Sequence, residues 1–157
     1  MSGVSAAEIE QHILKNYRHI NAVDAWGERA FFVNPDSVLS RGAYFVTLKF
    51  NDGENDRASN INRPNVFRFN IGLAKEDYAL LFGAPPKRPA KGGVVSSEWD
   101  FTELNILTPH PVYGWMQWSA VLNPDKNMFQ KCLPLLDGAY KKALSSTRKN
   151  IARLNSI

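Results

Sequence analysis

Cysteine is almost missing from this chain. Cys132 stands alone among 157 residues, so no disulfide can form within it. Histidine is scarce too: only His12, His19 and His110 occur. His12 and His19 lie two helical turns apart, and no His-x-x-x-His or Cys pair is present. That excludes a zinc-type ligand set. No apolar run approaches the roughly 20 residues of a membrane helix. Met1-Ser2-Gly3-Val4-Ser5 also lacks the basic segment and apolar stretch of a secretory signal. These absences lead us to expect a cytoplasmic protein with no metal, no cofactor and no membrane partner.

Acid is absent from residues 141–157, which hold Lys141, Lys142, Arg148, Lys149 and Arg153. Taking those five from the 19 bases leaves 14 against 15 acids in residues 1–140. The basicity therefore sits at the end of the chain, and the body is close to neutral. Such a segment is either a solvated terminus or a contact for phosphates, whose binding salt would weaken.

What is present is an ordinary globular composition, 44% hydrophobic and 22% charged. The length suits one domain. We expect a single α+β domain over residues 1–146, with a basic tail over 147–157.

Ser5-Ala6-Ala7-Glu8 fits a capping box, and Ile9, Ile13, Tyr17 and Ile20 follow at helical spacing. This predicts a helix over 6–18. Residues 23–33 read as two short strands, Asp24-Ala25-Trp26 and Ala30-Phe31-Phe32-Val33, turning at Gly27-Glu28. In the strand over 43–50, Tyr44, Val46, Leu48 and Phe50 are predicted inward, with Thr47 and Lys49 outward. In the strand over 66–72, Phe67, Phe69 and Ile71 are predicted inward, with Arg68 and Asn70 outward. Between these strands runs Asn51-Asp52-Gly53-Glu54-Asn55-Asp56-Arg57-Ala58-Ser59-Asn60, a polar loop of the kind that displays chemistry on a scaffold.

Residues 74–82 read as a short helix stopped by Gly83. Five Pro and Gly residues in 84–97 predict a surface loop. Asp100 to Glu103 predicts a cap for a short helix ending near Leu107. Residues 112–122 read as the last strand, with Trp118, Ala120 and Leu122 toward the core and Tyr113, Trp115 and Gln117 opposite. Asn123-Pro124 suits a helix start. A final helix follows, kinked or restarted at Pro134. This order predicts an antiparallel sheet with helices mainly on one face.

Two resemblances bear on this reading. Trp118 and Leu135-Leu136-Asp137-Gly138-Ala139-Tyr140, with Val66-Phe67-Arg68-Phe69-Asn70-Ile71, resemble the YjbR/MmcQ-like family. Gly53 to Asn60, Phe67 to Gly72 and His110 to Met116 resemble an uncharacterised bacterial family within or beside that group. The resemblance implies a compact α+β, CyaY-like fold, and for the wider group suggested DNA binding.

Three chemistries were weighed. Asp52, Glu54 and Asp56 alternate around Gly53, but no distal glutamate completes a calcium loop. Ser59, His110 and Asp56 contain the elements of a triad without a Gly-x-Ser-x-Gly elbow, so a hydrolase using His110 stays an alternative. Cys132 falls on an apolar helix face and reads as core. The leading reading is a non-catalytic binding domain for a small anionic ligand or a protein partner. Its expected residues are Arg57, Arg68, His110, Tyr113 and Trp115, because guanidinium forks and aromatic faces suit anions and rings. In the alternative reading, Arg68 pairs with Asp56 and the aromatics merely cover the sheet. A nucleic-acid reading would instead use Lys87, Arg88, Lys91, Arg148 and Lys149.

Overall fold

The computed structural model describes residues 3–25, 27–96 and 98–156, with the side chain of Ala25 also left undescribed. Trp26, placed by sequence in the first strand, and Ser97, at the end of the expected loop, lie outside the described residues.

Helix α1 (Ala6–Asn16) begins as the capping box requires. Ser5 Oγ accepts from the Glu8 backbone N–H, and the Glu8 carboxylate accepts from the Ser5 N–H, each at 3.1 Å. Strands β1 (Ile20–Ala25), β2 (Glu28–Val33) and β3 (Ala43–Lys49) form a meander. The chain then crosses the polar loop to β4 (Arg68–Gly72), makes α2 (Lys75–Phe82), and returns through β5 (Thr108–Pro109) and β6 (Trp118–Leu122) to α3 (Lys126–Asn155). The sheet is antiparallel, six-stranded and ordered β1-β2-β3-β4-β6-β5. The fold is therefore α+β.

All three helices share one side of this sheet. Ile9 and Ile13 of α1, Tyr78 of α2, and Cys132 and Leu136 of α3 join one buried cluster with Phe31, Val46, Leu48, Phe69, Ile71 and Val121. The other side carries no helix. It holds the partners Lys49 and Arg68, Thr47 and Asn70, and Gly72 and Trp118.

Several expectations change here. Tyr44 does not point with Val46: the register shifts so that Phe31 lies opposite Val46 but Phe32 lies opposite Tyr44. The extra residue sends Phe45 into the core against Tyr17 and Tyr140, and turns Tyr44 to the helix-free side. Phe50 is exposed. No helix forms at 103–107; Leu104 makes a lone bridge to Leu122. The expected strand over 112–122 is half that length. Residues Gly114–Met116 form a 3-10 turn ended by Gln117 in the left-handed region (φ 69°). The faces are also exchanged: Trp118, Ala120 and Leu122 lie opposite Gly72, Asn70 and Arg68, while Val121 enters the core. Asp125, not Asn123, caps α3 by accepting from the Met128 N–H at 2.8 Å. Helix α3 runs through Pro134 without restarting and stays helical to Asn155, so residues 147–155 continue the helix.

Candidate functional site

The helix-free side divides into a covered half and an open half. Arg68 is 0% exposed and lies at the centre of the covered half. Its Nε donates to Asn70 Oδ1 at 2.9 Å, and its Nη1 to Asp56 Oδ1 at 2.9 Å and Ser59 Oγ at 3.0 Å. Its Nη2 reaches Asp56 Oδ2 and lies 3.1 Å from His110 Nε2. The polar loop thus folds inward and lays Asp56 and Ser59 over the sheet. It is braced there: Asp52 accepts from the Ile61 N–H at 2.8 Å, and Arg63 donates to the carbonyl of Thr102 at 2.8 Å. Burial pulls the Asp56 carboxyl pKa upward, but the hydrogen bonds and charge of Arg68 outweigh it and hold the group below its ordinary value.

His110 is 2% exposed. Its Nδ1 faces the backbone N–H groups of Val112 and Tyr113, both at 3.0 Å, and its Nε2 faces Arg68. Every neighbour named is a donor. A neutral imidazole offers one lone-pair nitrogen and an imidazolium offers none, so protonation is opposed from both sides. Burial first, and then the Arg68 charge, push its pKa well below the ordinary value.

The open half is a cavity of about 490 Å³. Its floor is the outer surface of β1–β3, including Asn21, Ala30, Phe32, Tyr44 and Thr47. His110, Tyr113 and Trp118 wall one side, and Ser40, Arg41 and Gly42 also line it. Phe32, Tyr44 and Trp118 make a row of rings with centroids 5.5 and 5.2 Å apart. Gly72 permits this row, because a Cβ there would meet the Trp118 indole at 2.9 Å. Gly42 (φ +88°) closes the cavity end where a Cβ would strike the Val33 carbonyl oxygen at 2.2 Å. Glu28 also lines the cavity and lies 3.7 Å from the Lys49 ammonium. Burial raises its pKa despite that neighbour. Burial, then Tyr113 and Glu28, also raise the Tyr44 phenol.

Of the five ligand residues expected from sequence, His110 and Tyr113 line this cavity. Arg68 lies behind it, fully engaged with Asp56 and its neighbours. Arg57 is exposed on the polar loop and lies outside the cavity lining. Trp115 is half-buried under the Arg88 guanidinium, which stands 4.9 Å above its ring. Lys87 and Lys91 are exposed on the same Pro/Gly-rich segment. Arg148 and Lys149 are exposed on α3, where they line a shallow groove with Lys141 and Ser145. Sequence reasoning missed Phe32, Arg41, Tyr44 and Trp118. The alternation in 43–50 and 112–122 concealed the two aromatics, since a bulge and a turn reverse it.

Among the described residues there is no group of three or more metal-ligating side chains. Burial pushes the Cys132 thiol up to about 12, which suits a packed core group and not a thiolate. No helix among the described residues is long and apolar enough to cross a membrane.

Residues 4–152 match the family of unknown function DUF6194. The chain belongs to that family. The DUF6194 match spans every strand and nearly all of α3, so the cavity and the Arg68 cluster both lie within it. No curated protein and no solved structure matches this DUF6194 chain.

Proposed function

We propose that this chain is a non-catalytic binding domain whose site is the helix-free cavity between Phe32, Tyr44, Tyr113 and Trp118. The observation that carries this reading is the cavity itself, about 490 Å³ of open space lined by rings and a few polar groups. That size and makeup suit a small-molecule site. The rim cation Arg41 makes a small anion the favoured guest. An acidic or aromatic side chain of a protein partner would use the same surface. A cytoplasmic location is part of this reading, and the lone buried cysteine accords with a reducing compartment.

Thermal-shift screening against a broad metabolite set tests the reading. Wild type should gain stability with at least one anionic compound, and Tyr44→Ala and Tyr113→Ala should lose that gain. A wild-type protein that responds to none would count against it.

A second reading, nucleic-acid binding, is favoured by one observation. The acid-free end of the chain is helical, which brings Lys141, Arg148 and Lys149 around one groove. The likeness of residues 66–71 and 135–140 to the YjbR-like group points the same way. Lys87 and Lys91 are exposed on the Pro/Gly-rich segment, whereas Arg88 lies over the Trp115 ring. Reversing Arg148 and Lys149 to Glu should then abolish a salt-sensitive gel shift; unchanged binding would exclude the helix end. The hydrolase alternative draws less support. Ser59 Oγ is buried against Arg68, and His110 faces donors at both nitrogens.

A further inference from the structure

We infer that the cavity takes a ring-bearing carboxylate with a single negative charge. Arg41 is the group that meets the charge, and Tyr44, Tyr113 and Trp118 enclose the ring. This rests on the cavity being a ligand site, and it assigns the chemistry of the guest.

Charge comes first. Glu28 on the lining is matched by Lys49 behind it at 3.7 Å, and Asp56 is matched by Arg68. His110 is surrounded by donors and stays neutral. The remaining charge on the lining is Arg41, exposed and without an ion-pair partner among the described residues. One unmatched guanidinium calls for one carboxylate, which it can grip with two parallel hydrogen bonds. A phosphoryl group of higher charge is poorly served. None of the lining residues belongs to an α-helix, so no α-helix N-terminus is there to hold a more highly charged group.

Ring recognition comes next. Tyr44 and Tyr113 are 48% and 47% exposed beside the buried Trp118, so their rings are open to a guest. The row Phe32–Tyr44–Trp118 already sets tilted rings 5.2–5.5 Å apart, so a guest ring extends an existing aromatic contact. The other polar groups are the Glu28 carboxyl, the Asn21 carboxamide, which both donates and accepts, and the hydroxyls of Ser40, Thr47 and the two phenols. The Thr47 hydroxyl accepts from Asn70 Nδ2 at 2.9 Å and keeps its own proton to donate. A ring carrying a hydroxyl opposite its carboxylate would find partners at both ends.

The test titrates the full chain with four probes while backbone amide resonances are followed by NMR. The probes are 4-hydroxybenzoate, tyramine, cyclohexanecarboxylate and inorganic phosphate. 4-Hydroxybenzoate should shift the amides of Tyr44, Thr47 and Tyr113, and bind more tightly than the other three. Arg41→Gln, a surface change that leaves the core untouched, should weaken it about tenfold. Equal binding by tyramine, or an unaffected Arg41→Gln, would overturn the charge assignment. Equal binding by cyclohexanecarboxylate would overturn the ring assignment. A lining response to phosphate alone would overturn both and leave the cavity reading standing. Silence of the lining amides toward all four would count against the cavity itself.

Discussion

Arg68 makes five polar contacts with four residues and shows no surface to water. A charge so placed is tolerated because its partners are held in place: Asp56 by the braced loop, Asn70 by the next pleat of its own strand. Removing one member strands the other. Asp56→Asn or Arg68→Met should each destabilise the fold by about 3–5 kcal/mol, while a double change to apolar residues should cost less than either. Urea unfolding of the three variants reads this directly. His110 adds a pH dependence. Its folded pKa is depressed, so below about 6.5 the unfolded chain takes up a proton that the folded chain refuses. Stability should therefore fall as pH drops from 7 toward 5. Asp56, also depressed when folded, extends the loss below about pH 4. His110→Gln should flatten the upper part of that curve, as urea midpoints at pH 7, 6 and 5 would show.

At the scale of elements, local chemistry was read well and long-range register was not. The Ser5–Glu8 box, the helix at Ile9 and Ile13 and the Gly83 stop all follow from neighbours within one turn, and all appear. Of the expected inward set, Phe69 and Ile71 enter the core, and Phe67, just before β4, packs against it partly buried. Two of the failures share one cause. Tyr44 and Trp118 were assigned to the core because alternation was carried across Phe45 and Gln117, where the backbone inserts a residue or turns. Neither event has a local signature, since Phe45 is a good strand former and Gln117 is not a residue that usually takes positive φ. Arg68 lies on the expected face, but it is not open to a ligand: the alternative reading, a pair with Asp56, is what forms, and alternation identifies a side of a sheet and not what covers it. Helix α3 offers a test at this scale. Pro134 lies inside its 30 residues and removes one backbone donor. Pro134→Ala should raise stability by up to about 3 kcal/mol. Ser5→Ala should lower it by about 1 kcal/mol. Thermal denaturation of both variants checks the signs.

At the scale of the molecule, the sheet separates two kinds of work. One side buries the apolar cluster beneath α1, α2 and α3. The other is half closed by a charged cluster under a braced loop and half open as the cavity. A ligand that binds only the folded chain at a hundred times its dissociation constant would add about 2.7 kcal/mol of stability. That gain should vanish in Tyr44→Ala without a matching collapse of the unliganded protein, because Tyr44 stands clear of the core. Calorimetry with and without ligand distinguishes the two effects.

Because α1, α2 and α3 lie on the far side of the sheet, the exposed residues that meet a guest, Tyr44 and Tyr113 among them, are not those that form the apolar core. Exchanges at Val23, Phe32 or Tyr113 would reshape the recognition surface while the packed side went undisturbed. Such a molecule can change what it recognises in single steps, each of them survivable.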